Sequence, residues 1–310
     1  MKDRFKEEWV RVRDLASLKA QVMRQRTRVG AHTLLDASLT LILSPWRAFK
    51  FLCFMIGLTV LISVSIAGSY SYRFFDSLPN ISQTSYESFM DQANNRVLDR
   101  LETKSKKYKW IEIKDINRAL VHSIVLSEDS TFFEHGGFNF EAIIDSFAEN
   151  LKERRAAYGA STISQQVVKN VFLTQEKTLI RKLKEFVLTW QLERHFSKNE
   201  ILEVYLNIAE FGPDVFGVNA AAHHFYDTAP KFINAPQGAF LAQMLPSPRR
   251  RYYAIWKNRN LSRKYRKRID RVLRDMLYGE FITDDQYRQF IRYRYFDIPS
   301  SSSRMPARSR

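Results

Sequence analysis

The sequence has a single cysteine, Cys53, which excludes an internal disulfide framework. That cysteine lies in an apolar run, where a small hydrophobe would serve equally well. Glycine is sparse, 10 residues in 310, and runs that alternate β-branched with polar side chains are rare. A sheet-built fold is therefore disfavoured and a mostly helical one expected. Acidic residues are in deficit: 33 Asp and Glu against 49 Lys and Arg leave a formal charge of +16. Such an excess calls for an anionic partner, whether nucleic acid, phospholipid headgroups or a phosphorylated substrate. What is plentiful is apolar side chain, 45 % of residues, enough for one substantial core plus an appendage.

The apolar residues are not spread evenly. Residues 1–48 read as a basic, amphipathic tail, and Phe51 to Gly68 carry no charge. At about 1.5 Å per residue this run nearly crosses a hydrocarbon core, and extension to residues 49–71 completes the span. A cleaved signal peptide is the competing reading. The run starts some fifty residues in, however, and no clear small-x-small cleavage site precedes a mature start, so a retained transmembrane helix is expected. Lys and Arg dominate before the run and only Arg73 follows closely, which orients the N-terminus to the cytoplasm. The remainder then lies outside the cytoplasm, away from nucleic acid, so neither DNA nor RNA is an expected partner. Residues 72–107 read as a connector, and Tyr108 to Ile113 alternate like a short strand. A folded domain is expected over 108–297, followed by a Ser/Arg tail over 298–310 that lacks the apolar content to fold.

Within that domain four polar clusters interrupt apolar-periodic helices. Glu128 follows the apolar run Leu120 to Leu126, so its carboxylate leaves a buried helix, and lost solvation would raise its pKa toward that of a general base or acid. His135 fits either a ligand or base or a hydrogen-bonded structural histidine. Thr162 and Gln165 have capping-box spacing, opening a helix whose apolar face is Ile163, Val167 and Val171 and whose polar face is Gln166, Lys169 and Asn170. Leu179, Leu183, Phe186 and Trp190 read as the core stripe of the next helix, with Arg181 and Glu185 on another face. Ser197 and Glu200 fit a second capping box, which gives Glu200 a structural explanation, whereas Tyr205 and Asn207 lack an obvious one.

In order and spacing these clusters resemble the peptidoglycan glycosyltransferase family, whose members polymerise lipid II and also form the N-terminal module of class A penicillin-binding proteins. The resemblance covers residues 108–253. It rests on Glu128-Asp129 with Phe132 and His135-x-Gly137, on Gly159-x-Ser161-Thr162-x-x-Gln165-Gln166-x-x-Lys169-Asn170, and on Arg181-Lys182-x-x-Glu185. Lys198-x-x-Ile201-Leu202-Glu203-x-Tyr205-Leu206-Asn207 and two closing motifs, at 216–221 and 241–248, complete it. Asn139 stands where an Asp is usual, and Lys177 where an arginine often is, which keeps the charge but not the bidentate fork. No Ser-x-x-Lys, Ser-x-Asn and Lys-Thr-Gly set follows residue 250, so a monofunctional transglycosylase is expected.

The resemblance implies a lysozyme-like, nearly all-helical domain with a small jaw at the membrane, and Ile143, Ile144, Phe147 and Leu151 beside Lys152, Arg154 and Arg155 fit that jaw or else a core-facing helix with a charged end. It implies transfer of a growing glycan from undecaprenyl pyrophosphate to the GlcNAc 4-hydroxyl of lipid II, with inversion at MurNAc C1. Glu128 maps to the base. Lys169, Lys177, Arg181 and Lys182 map to the pyrophosphate holders, and Glu185 would orient them or a divalent cation such as Mg or Mn. Ser161, Gln165, Gln166 and Asn170 would position sugar and phosphate oxygens, with Asp129, His135, Thr162 and Glu200 on the substrate side. Expected partners are lipid II, the nascent strand, the bilayer and other cell-wall synthesis or division proteins, at the bacterial inner membrane. A lysozyme-like hydrolase would lack a reason for the lysines, and a membrane scaffold would lack one for the amides at 159–170.

Overall fold

The computed structural model describes residues 15, 17–25, 45–101, 108–152, 161–174, 176 and 178–296, with the side chains of residues 147, 150 and 152 outside that description. Gly159, Lys177, Arg154, Arg155, the 298–310 tail and most of the 1–48 tail therefore lie outside the described residues. The chain divides into two units, Met1–Ser77 and Leu78–Arg310.

In the first unit, helix α1 runs from Pro45 to Asp76, 32 residues without one buried side chain. Its most apolar stretch has a mean hydropathy of 2.3, long and apolar enough to cross a membrane. Among the described residues no other helix meets that standard.

The second unit is mostly α and lysozyme-like in type, as expected, and it begins earlier than residue 108. A 3₁₀ turn at Ile81–Gln83 and helix α2 (Tyr86–Arg100) occupy the stretch read as a connector. Ser85 caps α2 by accepting from the Ser88 amide, and Phe89, Ala93 and Val97, at i, i+4 and i+8, are fully buried. Phe89 stacks on Phe196 at 4.6 Å and on Phe172 at 5.7 Å. The polar composition of α2 belongs to its outer face and hid a three-residue core stripe.

Helix α3 (Arg118–Glu128) is capped by Asn117, and α4 (Phe140–Lys152) begins over the Asn139 side chain, whose oxygen accepts from the Ala142 amide at 2.8 Å. Helix α5 (Ile163–Val171) carries the predicted capping box, α6 spans Leu179–His195, and α7 spans Lys198–Ile208. Every residue of α7 from Ile201 to Ile208 is buried, which makes it the central helix. A two-stranded hairpin, β1 (Glu210–Gly212) with β2 (Val215–Phe216), leads to α8 (Gly217–Tyr226). Gly217 has φ +76°, and a Cβ there would lie 2.7 Å from the Asn207 carbonyl oxygen, so only glycine lets the chain turn this close to α7. Helices α9 (Ala235–Ala242), α10 (Arg263–Tyr278) and α11 (Asp284–Phe290) follow. Gly238 of α9 brings its backbone against α3, where a Cβ would meet Ser123 Oγ at 2.9 Å.

Two local expectations are corrected. Tyr108 to Glu112 is not a strand: it is irregular chain ending in a 3₁₀ turn at Ile113–Asp115, and α7 holds it by side chains. Asn207 accepts from the Ile111 amide and donates to the Ile111 carbonyl, both at 2.9 Å, while Glu203 accepts from the Ile113 amide at 2.8 Å. The side chains of α7 supply the bonds a neighbouring strand would have given. In α6 the stripe Leu179, Leu183, Phe186 and Trp190 is exposed, from 49 to 85 %, and the buried side chains are Glu185, Leu188, Thr189 and Leu192. Periodicity identifies an apolar face without saying what covers it.

Candidate active site

Glu128 ends α3, so its backbone is fixed by a helix whose Leu120, Val121, Ile124 and Val125 are locked in the core. Its Oε2 accepts from Gln166 Nε2 at 3.0 Å, and the Tyr205 hydroxyl hydrogen-bonds the same carboxylate. Loss of water drives its pKa above the usual carboxylate range, against the opposing pull of Gln166, the Arg251 guanidinium and Tyr205. Tyr205, fully buried beside that charge, has its own pKa raised by desolvation and then by Glu128. The Glu128 carboxylate is thus held with little solvent around it, between the Gln166 amide and the Tyr205 hydroxyl.

Helix α5 supplies the opposite wall. Thr162 accepts from the Gln165 amide at 3.2 Å, and Gln165 Oε1 accepts from the Thr162 amide at 3.0 Å, closing the capping box. The box aims Gln166, Lys169 and Asn170 outward while Ile163, Val167 and Val171 go into the core. Lys169 is half-buried; desolvation lowers its pKa, as do Arg181, Lys182 and Arg100, with Glu185 opposing them. Glu185 is 2 % exposed, and Arg181 bridges it at 2.7 Å while Lys182 pairs with its other oxygen. Glu185 is thus a buried carboxylate that holds two cations. Both Glu185 oxygens are engaged by cations of its own helix. Among the described residues no group of three or more His, Cys, Asp or Glu is placed to hold a metal.

Other predicted residues have scaffolding contacts. Asp129 Oδ2 accepts from the Ile163 amide at 3.0 Å, and Oδ1 pairs with His135 Nε2 at 2.9 Å. His135 Nδ1 accepts from the Gly137 amide at 3.1 Å, which places the neutral ring's proton on Nε2, facing Asp129. Thr162 Oγ1 donates to the Gly137 carbonyl at 2.8 Å. Asp129, His135 and Thr162 therefore tie α3, the following loop and α5 into one frame. Glu200 accepts from the Ser197 amide and hydroxyl, both at 2.7 Å, and lines none of the described clefts.

Three clefts meet along this frame. One of about 160 Å³ is bordered by Glu128, Asp129, Asn139, Ser161 and Thr162. A second, of about 370 Å³, shares Ser161 and adds Gln165, Gln166, Lys169, Arg181, Lys182 and Glu185. The third, of about 510 Å³, shares Gln166 and Lys169 and adds Arg100, Asn170, Tyr205, Glu210 and Arg249. Ser161, Gln166 and Lys169 are the partitions of one continuous groove.

The sequence missed Arg100, Glu210 and Arg251 because each comes from a stretch with no site-like pattern of its own. It also missed the support beneath the site. Glu193 takes hydrogen bonds from Ser164 and from Lys198 at 2.8 Å, and Lys198 also donates to the His135 carbonyl at 2.6 Å. The i,i+5 spacing of Glu193 and Lys198 across a helix break was the available signal.

Fold and groove define a class: a mostly helical, lysozyme-like protein with an apolar anchor helix, in which a desolvated carboxylate shares a groove with a bank of cations. The sequence pattern of the family described as Transglycosylase matches residues 94–277. The biosynthetic peptidoglycan transglycosylase of Nitrosospira multiformis is 37 % identical over 232 residues, covering 73 % of this chain and 94 % of that protein. Proteins of the same name from Methylobacillus flagellatus and Herminiimonas arsenicoxydans are 44 % identical over 147 residues and 41 % over 162. These cover 47 and 52 % of this chain and 63 and 70 % of those proteins. The chain belongs to the transglycosylase family.

Proposed function

We infer that this transglycosylase polymerises the glycan strands of peptidoglycan, transferring a growing glycan from undecaprenyl pyrophosphate to the GlcNAc 4-hydroxyl of lipid II. The observation that carries the residue assignment is the shared Ser161 wall: the Glu128 cleft opens directly onto the cleft lined by Lys169, Arg181 and Lys182. Glu128 takes the 4-hydroxyl proton as the oxygen attacks MurNAc C1 from the face opposite the leaving group. The C1–O bond to pyrophosphate breaks, with inversion, and the lipid pyrophosphate departs with the electron pair. Lys169, Arg181 and Lys182 receive the developing charge, where preorganised cations in a poorly hydrated groove act most strongly. Glu185 holds two of these cations in place before substrate arrives. Gln166 orients the base, and Ser161 and Asn170 border the sugar path. Lys177 joins the cation bank by its place in the sequence.

The apolar face of α6, with Ile143, Ile144 and Leu151 of α4 exposed as well, fits a surface that rests in headgroups and acyl chains, where the lipid tail of the substrate resides. The N-terminus is cytoplasmic and the catalytic unit faces the outer side of the inner membrane, where cell-wall synthesis or division proteins are its natural partners. A reporter fused to either end tests this: activity of both fusions on one side refutes a single crossing. Purified protein incubated with lipid II in detergent should yield a polymer that muramidase degrades. Cleavage of preformed glycan without polymerisation would indicate a hydrolase, and neither product a scaffold.

A further inference from the structure

Lys169 borders two clefts, and only one of them contains the Arg181 and Lys182 pair. The larger cleft on its other side has Arg100, Lys169 and Arg249 against one carboxylate, Glu210, which Arg249 pairs with at 2.9 Å. Glu210 acts on Arg100 as well, and three cations against this single lining carboxylate leave the cleft with a positive lining suited to an oxyanion.

Arg100 is the better placed of the two for directional recognition. It is the last residue of α2, and the buried Phe89, Ala93 and Val97 stripe fixes that helix in the core. One turn earlier, Arg96 donates to the Val171 carbonyl at 2.9 Å. Arg100 itself donates through Nη1 to Asn170 Oδ1 at 3.4 Å and through Nη2 to the Asn170 carbonyl at 3.1 Å. Both arginines thereby satisfy carbonyls at the C-terminal end of α5, where positive charge suits the helix dipole. A guanidinium has five N–H donors, and these contacts use two. The remaining donors of a rigid, planar fork are available to the cleft that the residue lines. Burial lowers the pKa of Arg100 and neighbouring Arg96 lowers it further, with Glu210 opposing them, so its charge is poorly solvated before any ligand arrives.

We propose that Arg100 is a substrate-binding residue of this transglycosylase, holding an oxyanion of the lipid-linked substrate in the cleft across Lys169 from Arg181 and Lys182. The inference rests on the function above. The oxyanion is a phosphate of the lipid carrier or a carboxylate of the stem peptide, and both present the oxygen pair that a guanidinium fork recognises.

The test uses full-length protein in detergent, with polymerisation kinetics and direct titration of fluorescent lipid II. Arg100→Gln should raise KM and Kd by about tenfold to a hundredfold, the scale of a lost charge-assisted hydrogen bond pair, with kcat altered less than about threefold. Arg100→Lys, which keeps charge but not the fork, should recover part of that loss. Arg96→Gln is the structural control, because it loses a cap on the same helix without lining the cleft: it should lower Tm and leave Kd unchanged. Repeating the titration with lipid II whose stem-peptide carboxylates are amidated separates the sources. If the Arg100→Gln penalty vanishes, the oxyanion is the peptide's; if it persists, it is the phosphate's. An unchanged Kd in Arg100→Gln, or a Kd shift equalled by Arg96→Gln, overturns the proposal. Because Kd is read without turnover, a wild-type protein that binds lipid II but forms no polymer would overturn the functional reading and leave this test intact.

Discussion

Replacing Glu128 with glutamine separates the chemistry of the carboxylate from its shape. The amide still accepts from Gln166 Nε2, now at 3.0 Å from the carboxylate, and the Tyr205 hydroxyl can remain a partner. What the amide cannot do is accept a proton from a sugar hydroxyl. The turnover number should fall by roughly two to four orders of magnitude, the usual range for a lost general base, with lipid II affinity within a few-fold. Stability should move the other way. The folded-state pKa lies above the ordinary 4.5, so between 4.5 and the raised value the native protein binds more protons than the unfolded chain. The charged carboxylate therefore costs stability as pH rises through that window, and the cost is complete above it. Each unit of elevation corresponds to about 1.4 kcal/mol, so Glu128→Gln should match or exceed wild-type Tm at pH 7 to 8 while showing no such gain near pH 4. In the wild type, the acid limb of kcat/KM should lie above an ordinary glutamate's pKa. Labelled lipid II polymerisation and thermal melts at the two pH values measure both effects. More than about a tenth of wild-type activity in Glu128→Gln, or a Tm clearly below wild type at neutral pH, would refute the assignment.

Lys169→Ala should reduce polymerisation about a hundredfold or more, since it removes charge stabilisation of the leaving pyrophosphate; near-normal turnover moves that site elsewhere. Asn207→Ala breaks both bonds to Ile111 and one to the Glu203 carbonyl, and should cost about 2–4 kcal/mol, seen as a fall in Tm of roughly 5–15 °C. Gly137→Ala forces a side chain onto φ +92° with its Cβ 2.8 Å from Glu193 Cγ and 2.9 Å from Thr189 Cγ2, and should destabilise by about 2 kcal/mol or more in denaturant melts.

The four polar clusters were legible because each broke a helical period, and the capping boxes at Thr162–Gln165 and Ser197–Glu200 stand where spacing placed them. Spacing did not reveal which polar groups face the groove and which are consumed as scaffold. Asp129 and His135 carry the same residue types as a site yet spend their described contacts joining α3 to α5. Helix α2 was hidden because three buried positions in fifteen, Phe89, Ala93 and Val97, do not lift a polar composition. The 108–113 segment alternates like a strand, and its partner is not a strand but the Asn207 amide, a long-range contact with no local signature.

Helix α6 buries one face of Glu185, Leu188, Thr189 and Leu192 and leaves Leu179, Ile180, Leu183, Phe186 and Trp190 uncovered. An apolar strip of that extent seeks cover in any aqueous buffer. Deleting α1 to obtain a water-soluble enzyme would therefore leave a second greasy surface on the catalytic unit itself. Such a truncated protein should need detergent through purification, elute as concentration-dependent aggregates without it, and crystallise with the α6 faces of neighbouring molecules pressed together.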